Sequence, residues 1–109
     1  MFKTSQVFDP RQQMNNITYE AFHYKDTKAA NVEVHHHDFY EVYNLLAGDV
    51  SYWVDGHTYH LRPGDLLLIS PMELHQPMFG SEHRTYERIV LWINKQFLES
   101  FSLPGQEFT

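Results

Sequence analysis

Seven short runs rich in β-branched and aromatic residues recur along the chain with turn chemistry between them, and that rhythm constrains the fold more than any other feature. The runs are ITYEAFHY (17–24), VEVHHH (32–37), FYEVYNLLA (39–47), VSYWV (50–54), TYHL (58–61), DLLLIS (65–70) and RIVLWI (88–93). Asp55-Gly56, between two of them, is a two-residue hairpin signal. Pro63-Gly64 suits a type II turn, because proline presets φ and glycine accepts a positive one. Such tight turns predict strands that pair mostly with their sequence neighbours. After Ile93 the period changes: Phe97, Leu98 and Phe101 fall at helical spacing over 95–102, with Asn94 as N-cap and Pro104-Gly105 as the stop. The pattern predicts an all-β jelly-roll barrel or sandwich with a short C-terminal helix.

Bulk properties narrow what such a barrel can do. At 109 residues one domain is expected, and 42% hydrophobic with 16% aromatic residues supplies a core. Eight Lys and Arg against fourteen Asp and Glu leave a net charge of -6, which repels a phosphate backbone rather than concentrating it. No cysteine is present, so a metal would have to be held by nitrogen and oxygen. LLLI (66–69) is far too short to span a bilayer, and the polar start MFKTSQVFDPRQQ lacks the apolar core of a secretion signal. A soluble cytoplasmic protein is expected.

The densest chemistry lies in HHHDFYEVYNLLAG (35–48). On a strand, positions of one parity share a face, so His35 and His37 point together, His36 points away, and Glu41 keeps their parity. If the chain turns at Asp38-Phe39, two imidazoles and a carboxylate meet at one barrel mouth, a set suited to Zn, Ni, Fe or Mn. His75, in GDLLLISPMELHQP, is the candidate fourth ligand. The same residues also read as pocket polarity without an ion. Tyr43 and Leu45 continue the parity of Glu41, and Tyr52 comes from the next hairpin. Tyr43 and Tyr52 suit an effector pocket of ring faces and hydroxyls, while core packing is the simpler reading of any single aromatic. His23, His57, His60 and His83 have no spacing partner, and Glu82, His83, Arg84 and Glu87 read as a solvated polar patch. No nucleophile elbow or phosphate-binding glycine loop is present.

The spacing His35-x-His37-x3-Glu41-x6-Gly48 resembles the first cupin motif, and Gly64 with His75 eleven residues on resembles the second. Ser70 and Met72 depart from it where proline and glycine are preferred, and Phe79 stands where asparagine is frequent. These departures bear on the shape of the second loop. With RIVLWINKQFLESF included, nearly the whole chain beyond about residue 15 resembles the amino-terminal effector-binding domain of AraC-family transcriptional regulators.

That resemblance implies a cupin barrel over 17–93 and a helix and tail over 94–109 that begin a dimerisation region, while the polar composition of the arm over 1–16 lets it fold over the barrel mouth or stay loose. It further implies a small-molecule effector, for which a sugar is one candidate, and a divalent metal at His35, His37, Glu41 and His75. A homodimer would contact DNA through a helix-turn-helix domain encoded beyond Thr109, and the chain would be a binding module, not an enzyme. The alternative is a stand-alone metal-dependent cupin enzyme, a dioxygenase or isomerase, built on the same four residues.

Overall fold

Alternation with period two is written directly into the strands: β7 (Tyr86–Ile93) buries Tyr86, Arg88, Val90 and Trp92 and leaves the residues between them half-buried. The computed structural model describes residues 13–27, 32–80 and 85–101. The arm residues 1–12, the patch residues Glu82, His83 and Arg84, and the Pro104-Gly105 stop lie outside the described residues. Before β7 come β1 (Tyr19–Asp26), β2 (Tyr40–Ala47), β3 (Val50–Val54), β4 (His57–Leu61), β5 (Leu66–Ile69) and β6 (His75–Phe79), and after it α1 (Lys95–Glu99). One sheet has the order β1-β7-β2-β5 and the other β4-β3-β6, with every pairing antiparallel. The all-β jelly roll with a short C-terminal helix is the observed fold.

The expectation of neighbour pairing fails. Among the described pairings only β3–β4 joins consecutive strands, through Asp55 (φ 44) and Gly56 (φ 90). The pairs β1–β7, β2–β7, β2–β5 and β3–β6 are long-range. A tight turn dictates that the chain reverses, not that the next strand joins the same sheet. Gly48, Pro63-Gly64 and the 70–74 loop each carry the chain from one layer to the other. The VEVHHH run is not a strand either, since it makes a single bridge, His35 to His75. α1 ends at Glu99, and the Asn94 side chain caps it by accepting from the Phe97 N–H at 3.0 Å.

Between the sheets lies an aromatic core that includes Phe22, Tyr24, Phe39, Tyr43, Tyr52, Tyr86 and Trp92. Arg88 shares it at 5% exposure, held 2.6 Å from Asp26 Oδ2 and set over the Tyr24 and Tyr86 rings at 4.7 and 4.1 Å. These contacts supply the partner and ring faces that a buried guanidinium needs.

Gly48 makes the first layer change with φ +125, and a Cβ there would stand 3.3 Å from Tyr86 Cδ1 and 3.5 Å from the Thr85 carbonyl. Gly56 has a similarly positive φ of +90 but open space around it. Gly56→Ala should therefore lower unfolding free energy by about 1 kcal/mol of backbone strain. Gly48→Ala should lower it by roughly 2–3 kcal/mol, because Tyr86 must also shift. Denaturant unfolding of the two variants checks this, and equal losses would show that Tyr86 yields without resistance.

Candidate metal centre

Two separate pieces of chain bring the histidines together. Reciprocal backbone bonds, His35 N–H to His75 carbonyl at 3.1 Å and His75 N–H to His35 carbonyl at 2.9 Å, clamp the 32–37 segment to the start of β6. The Met72 N–H donates to the His37 carbonyl at 2.7 Å and fixes the second of these residues against the 70–74 loop. One ligand atom from each of His35, His37 and His75 then lies within 4.8 Å of the others, and all three residues are buried. His36, between them, is exposed, as an extended backbone with alternating side chains places it. Glu41, on β2 opposite Trp92 and Ile69, reaches the cluster through His37, with Oε1 3.0 Å from His37 Nε2.

All three rings are oriented by the same device. Nδ1 donates to the carbonyl oxygen two residues away: Glu33 for His35 at 2.8 Å, Phe39 for His37 at 3.0 Å and Glu73 for His75 at 2.8 Å. A carbonyl only accepts, so each Nδ1 carries the proton and Nε2 becomes the ring's coordinating atom, the outer-shell arrangement that orients metal-binding histidines. His75 Nε2 is fully buried and makes no hydrogen bond. His37 Nε2 faces a carboxylate oxygen, and that contact needs either a second ring proton or a cation shared with Glu41. An orphaned buried nitrogen and a nitrogen–carboxylate pair short of one positive charge fit a divalent ion.

The electrostatics point the same way. Burial disfavours charge on His75 and pulls it down to about 4, despite nearby Glu41 and the Glu73 carbonyl. Burial likewise lowers His35. For Glu41 burial opposes ionisation, but the His37 hydrogen bond and the field of the three histidines outweigh it and hold the carboxyl below its usual range. A neutral imidazole at His75 beside an ionised Glu41 is the protonation state a metal requires.

The departures in the second motif prove structural. Met72, at the position where the motif prefers glycine, adopts φ 68 with its side chain 59% exposed. The loop is held by Glu73, whose carboxylate accepts the Ser70 N–H at 2.6 Å, and by Asp55, which accepts the Leu74 N–H at 2.8 Å. Tyr43 and Tyr52 sit in the core at 2% and 3% exposure, edge to face with centroids 4.9 Å apart. The Tyr43 hydroxyl is hydrogen-bonded to that of Tyr86, and Tyr52 lies over His75 at 6.2 Å. Burial raises both phenols, so they stay neutral hydroxyls. Phe39, stacked on His37 at 3.9 Å and 2°, and the interior pair Tyr86 and Arg88 escape the sequence reading. The parity of β7, with an arginine at an inward position, was the signal for that pair.

The family model of the AraC-like ligand binding domain matches residues 18–102. No curated protein matches the chain. Solved structures are similar. A cupin protein from Bacteroides fragilis is 21% identical, covering 98% of each chain at a TM-score of 0.65. An RmlC-like cupin from Shewanella frigidimarina is 23% identical over 80% of this chain and 74% of its own, at 0.63. The DMSP lyase DddQ from Ruegeria pomeroyi is 23% identical at 0.62, covering 73% of this chain, which spans only 40% of the lyase. These likenesses establish the cupin fold.

Two outcomes follow from the site's construction. The unfolded chain protonates His75 near 6.5 and the folded chain only near 4, so between these values the unfolded state binds more protons. Stability present above pH 6.5 should fall by roughly 3 kcal/mol on acidification toward pH 4, read as the denaturant midpoint of metal-free protein. A midpoint constant across that window would contradict the burial of a neutral His75. Met72→Gly should raise stability by about 0.5–1 kcal/mol, because relief of positive-φ strain exceeds the added freedom of the unfolded chain. Loss of stability in that variant would show that the Met72 side chain contributes more than its exposure suggests.

Proposed function

Because the chain belongs to the AraC-like ligand binding domain family, we propose that it is the effector-sensing domain of an AraC-type transcriptional regulator, with a divalent ion held by His35, His37, His75 and Glu41. The observation that carries the sensing role is the family match across residues 18–102. The metal role rests on the convergent histidines, their carbonyl-locked Nδ1 protons and the orphaned His75 Nε2. Zn, Ni, Fe and Mn all suit this nitrogen and oxygen set. When bound, the ion supplies a Lewis-acidic seat for an oxygen donor of the effector.

The chain's own residues do the rest. His35, His37 and His75 present Nε2, Glu41 offsets charge, and Phe39 and Trp92 exclude water from the His37 side. Tyr43 and Tyr52 form the barrel wall behind the ion, and an effector reaching their hydroxyls must part the Tyr43–Tyr86 pair. The domain pairs with a second copy and acts on DNA through a helix-turn-helix domain encoded beyond Thr109, in the cytoplasm. Among the described residues no helix is long and apolar enough to cross a membrane. An effector changes DNA binding only by favouring one arrangement of the domain over another. A natural reading frame that continues past Thr109 into a basic helical region is the expected result, and a natural stop codon there would overturn the regulator reading.

A second reading, a metal-dependent cupin enzyme, draws support from the same donor set. Turnover of a candidate substrate by iron- or manganese-loaded protein, abolished in His37→Ala, would favour it.

For the metal itself, calorimetric titration of tag-free, chelator-treated protein with zinc should saturate at about one equivalent. Affinity should fall as pH drops toward about 4, where protons compete for the buried His75 imidazole. His37→Ala and His75→Ala should each weaken binding by about a hundredfold or more. Absence of a saturable one-to-one heat would remove the ion from the reading and leave the histidines as pocket polarity.

A further inference from the structure

Two buried side-chain polar atoms among the described residues make no hydrogen bond, His75 Nε2 and Trp92 Nε1. The ion proposed above accounts for the first. It leaves the second unexplained. An indole N–H only donates, and a buried one normally has an acceptor. Trp92 is 8% exposed and stands directly across from Glu41, its register partner on β2, so the two side chains enter the interior side by side.

The rings around the indole offer no acceptor. Phe22 meets it edge-on at 4.7 Å between centroids and Phe39 lies at 4.8 Å. His37, at 6.4 Å, has Nδ1 donating to the Phe39 carbonyl and Nε2 engaged with Glu41 Oε1. No atom of the described residues takes the Trp92 hydrogen, so its acceptor arrives either as water or with a bound molecule.

The charge of the centre separates these two. Each histidine keeps its Nδ1 proton on a carbonyl and presents Nε2, which makes it a neutral ligand. A divalent ion set against the single carboxylate of Glu41 then leaves one positive charge among buried residues. A buried net charge is costly. Arg88 and Asp26, the other buried ion pair, already offset one another and supply no spare negative charge. A ligand carrying one negative charge removes the excess, whereas water does not. A carboxylate has two oxygens, so one can face the ion while the other accepts from the indole in a charge-assisted bond. Phe22, Phe39 and Trp92 belong to the packed core, which favours the smallest acids because a larger one must displace more of it.

We infer that the histidine centre takes a small monocarboxylate, with Trp92 as the specificity-determining residue whose indole N–H holds the carboxylate oxygen turned away from the ion. The inference rests on the metal role proposed above and names the class of oxygen donor that the ion would seat. A neutral molecule of the same shape would leave the charge uncorrected, so selection between the two is electrostatic.

The test is nitrogen-15 NMR of the zinc-loaded chain titrated with formate and acetate, with acetamide as the uncharged isostere of acetate. Trp92 reports on the centre, and Trp53, at an outward position of β3, is the internal control. Formate or acetate should move the Trp92 indole proton saturably downfield, leave that of Trp53 in place, and do so only with zinc present. Trp92→Phe should weaken acetate binding by about tenfold or more with zinc affinity unchanged. If that variant fails to fold, the indole shift of the unaltered chain still decides. A Trp92 signal that neither acid moves in zinc-loaded protein would assign the acceptor to water and overturn the proposal, leaving the metal reading intact. Equal shifts from acetate and acetamide, or the same shifts without zinc, would overturn the charge argument and the ligand class with it. Failure of zinc itself to bind would remove the metal reading and this inference together.

Discussion

Two backbone hydrogen bonds between His35 and His75 hold the candidate centre together, because they tie the segment that carries His35 and His37 to the strand that carries His75. His75 opens β6 in the three-stranded sheet, whereas Glu41 lies in β2 of the four-stranded sheet. His35 and His37 belong to neither sheet. Without the reciprocal bond at His35 the 32–37 segment would have no ladder partner, and the spacing of His35 and His37 would set only their parity. The bridge converts a local pattern into a convergent cluster, and the Met72 to His37 bond completes it from the other motif.

How much of this was legible follows from which interactions are local. Strand periodicity placed His35, His37, Glu41, Tyr43 and Leu45 on one inward side, and all five are buried. Asn94 as N-cap and Asp55-Gly56 as a hairpin turn also rest on short-range chemistry, and both appear as expected. Sheet membership depends on long-range pairing, which turn length does not encode, so neighbour pairing failed for β1, β2, β5, β6 and β7. The run RIVLWI starts two residues after β7 does, so its pattern leaves out Tyr86. Arg88 stands at an inward position of that run, and nothing local marks it as buried because its partner, Asp26, lies on a strand distant in sequence.

The interior therefore carries two polar foci of opposite sign. At one end Glu41 sits with three histidines, and at the other Arg88 sits with Asp26 between the Tyr24 and Tyr86 rings. Tyr43 and Tyr52 lie between them, and both foci act on their phenols: Arg88 lowers both and Glu41 raises Tyr52, though burial dominates. Desolvation of either charge without partners would be prohibitive. Each focus is instead satisfied locally, which lets an aromatic core surround both.

The core residues among those described are closely packed. Close-packed interiors resist expansion and respond to insertion by rearranging or not at all. The rim where β1 and β2 begin and β7 closes is different: there the strands have ended, the backbone groups of 13–18 and Asn94 are paired to one another rather than to sheet ladders, and α1 starts. His37, stacked on Phe39, stands where the packed core meets that rim.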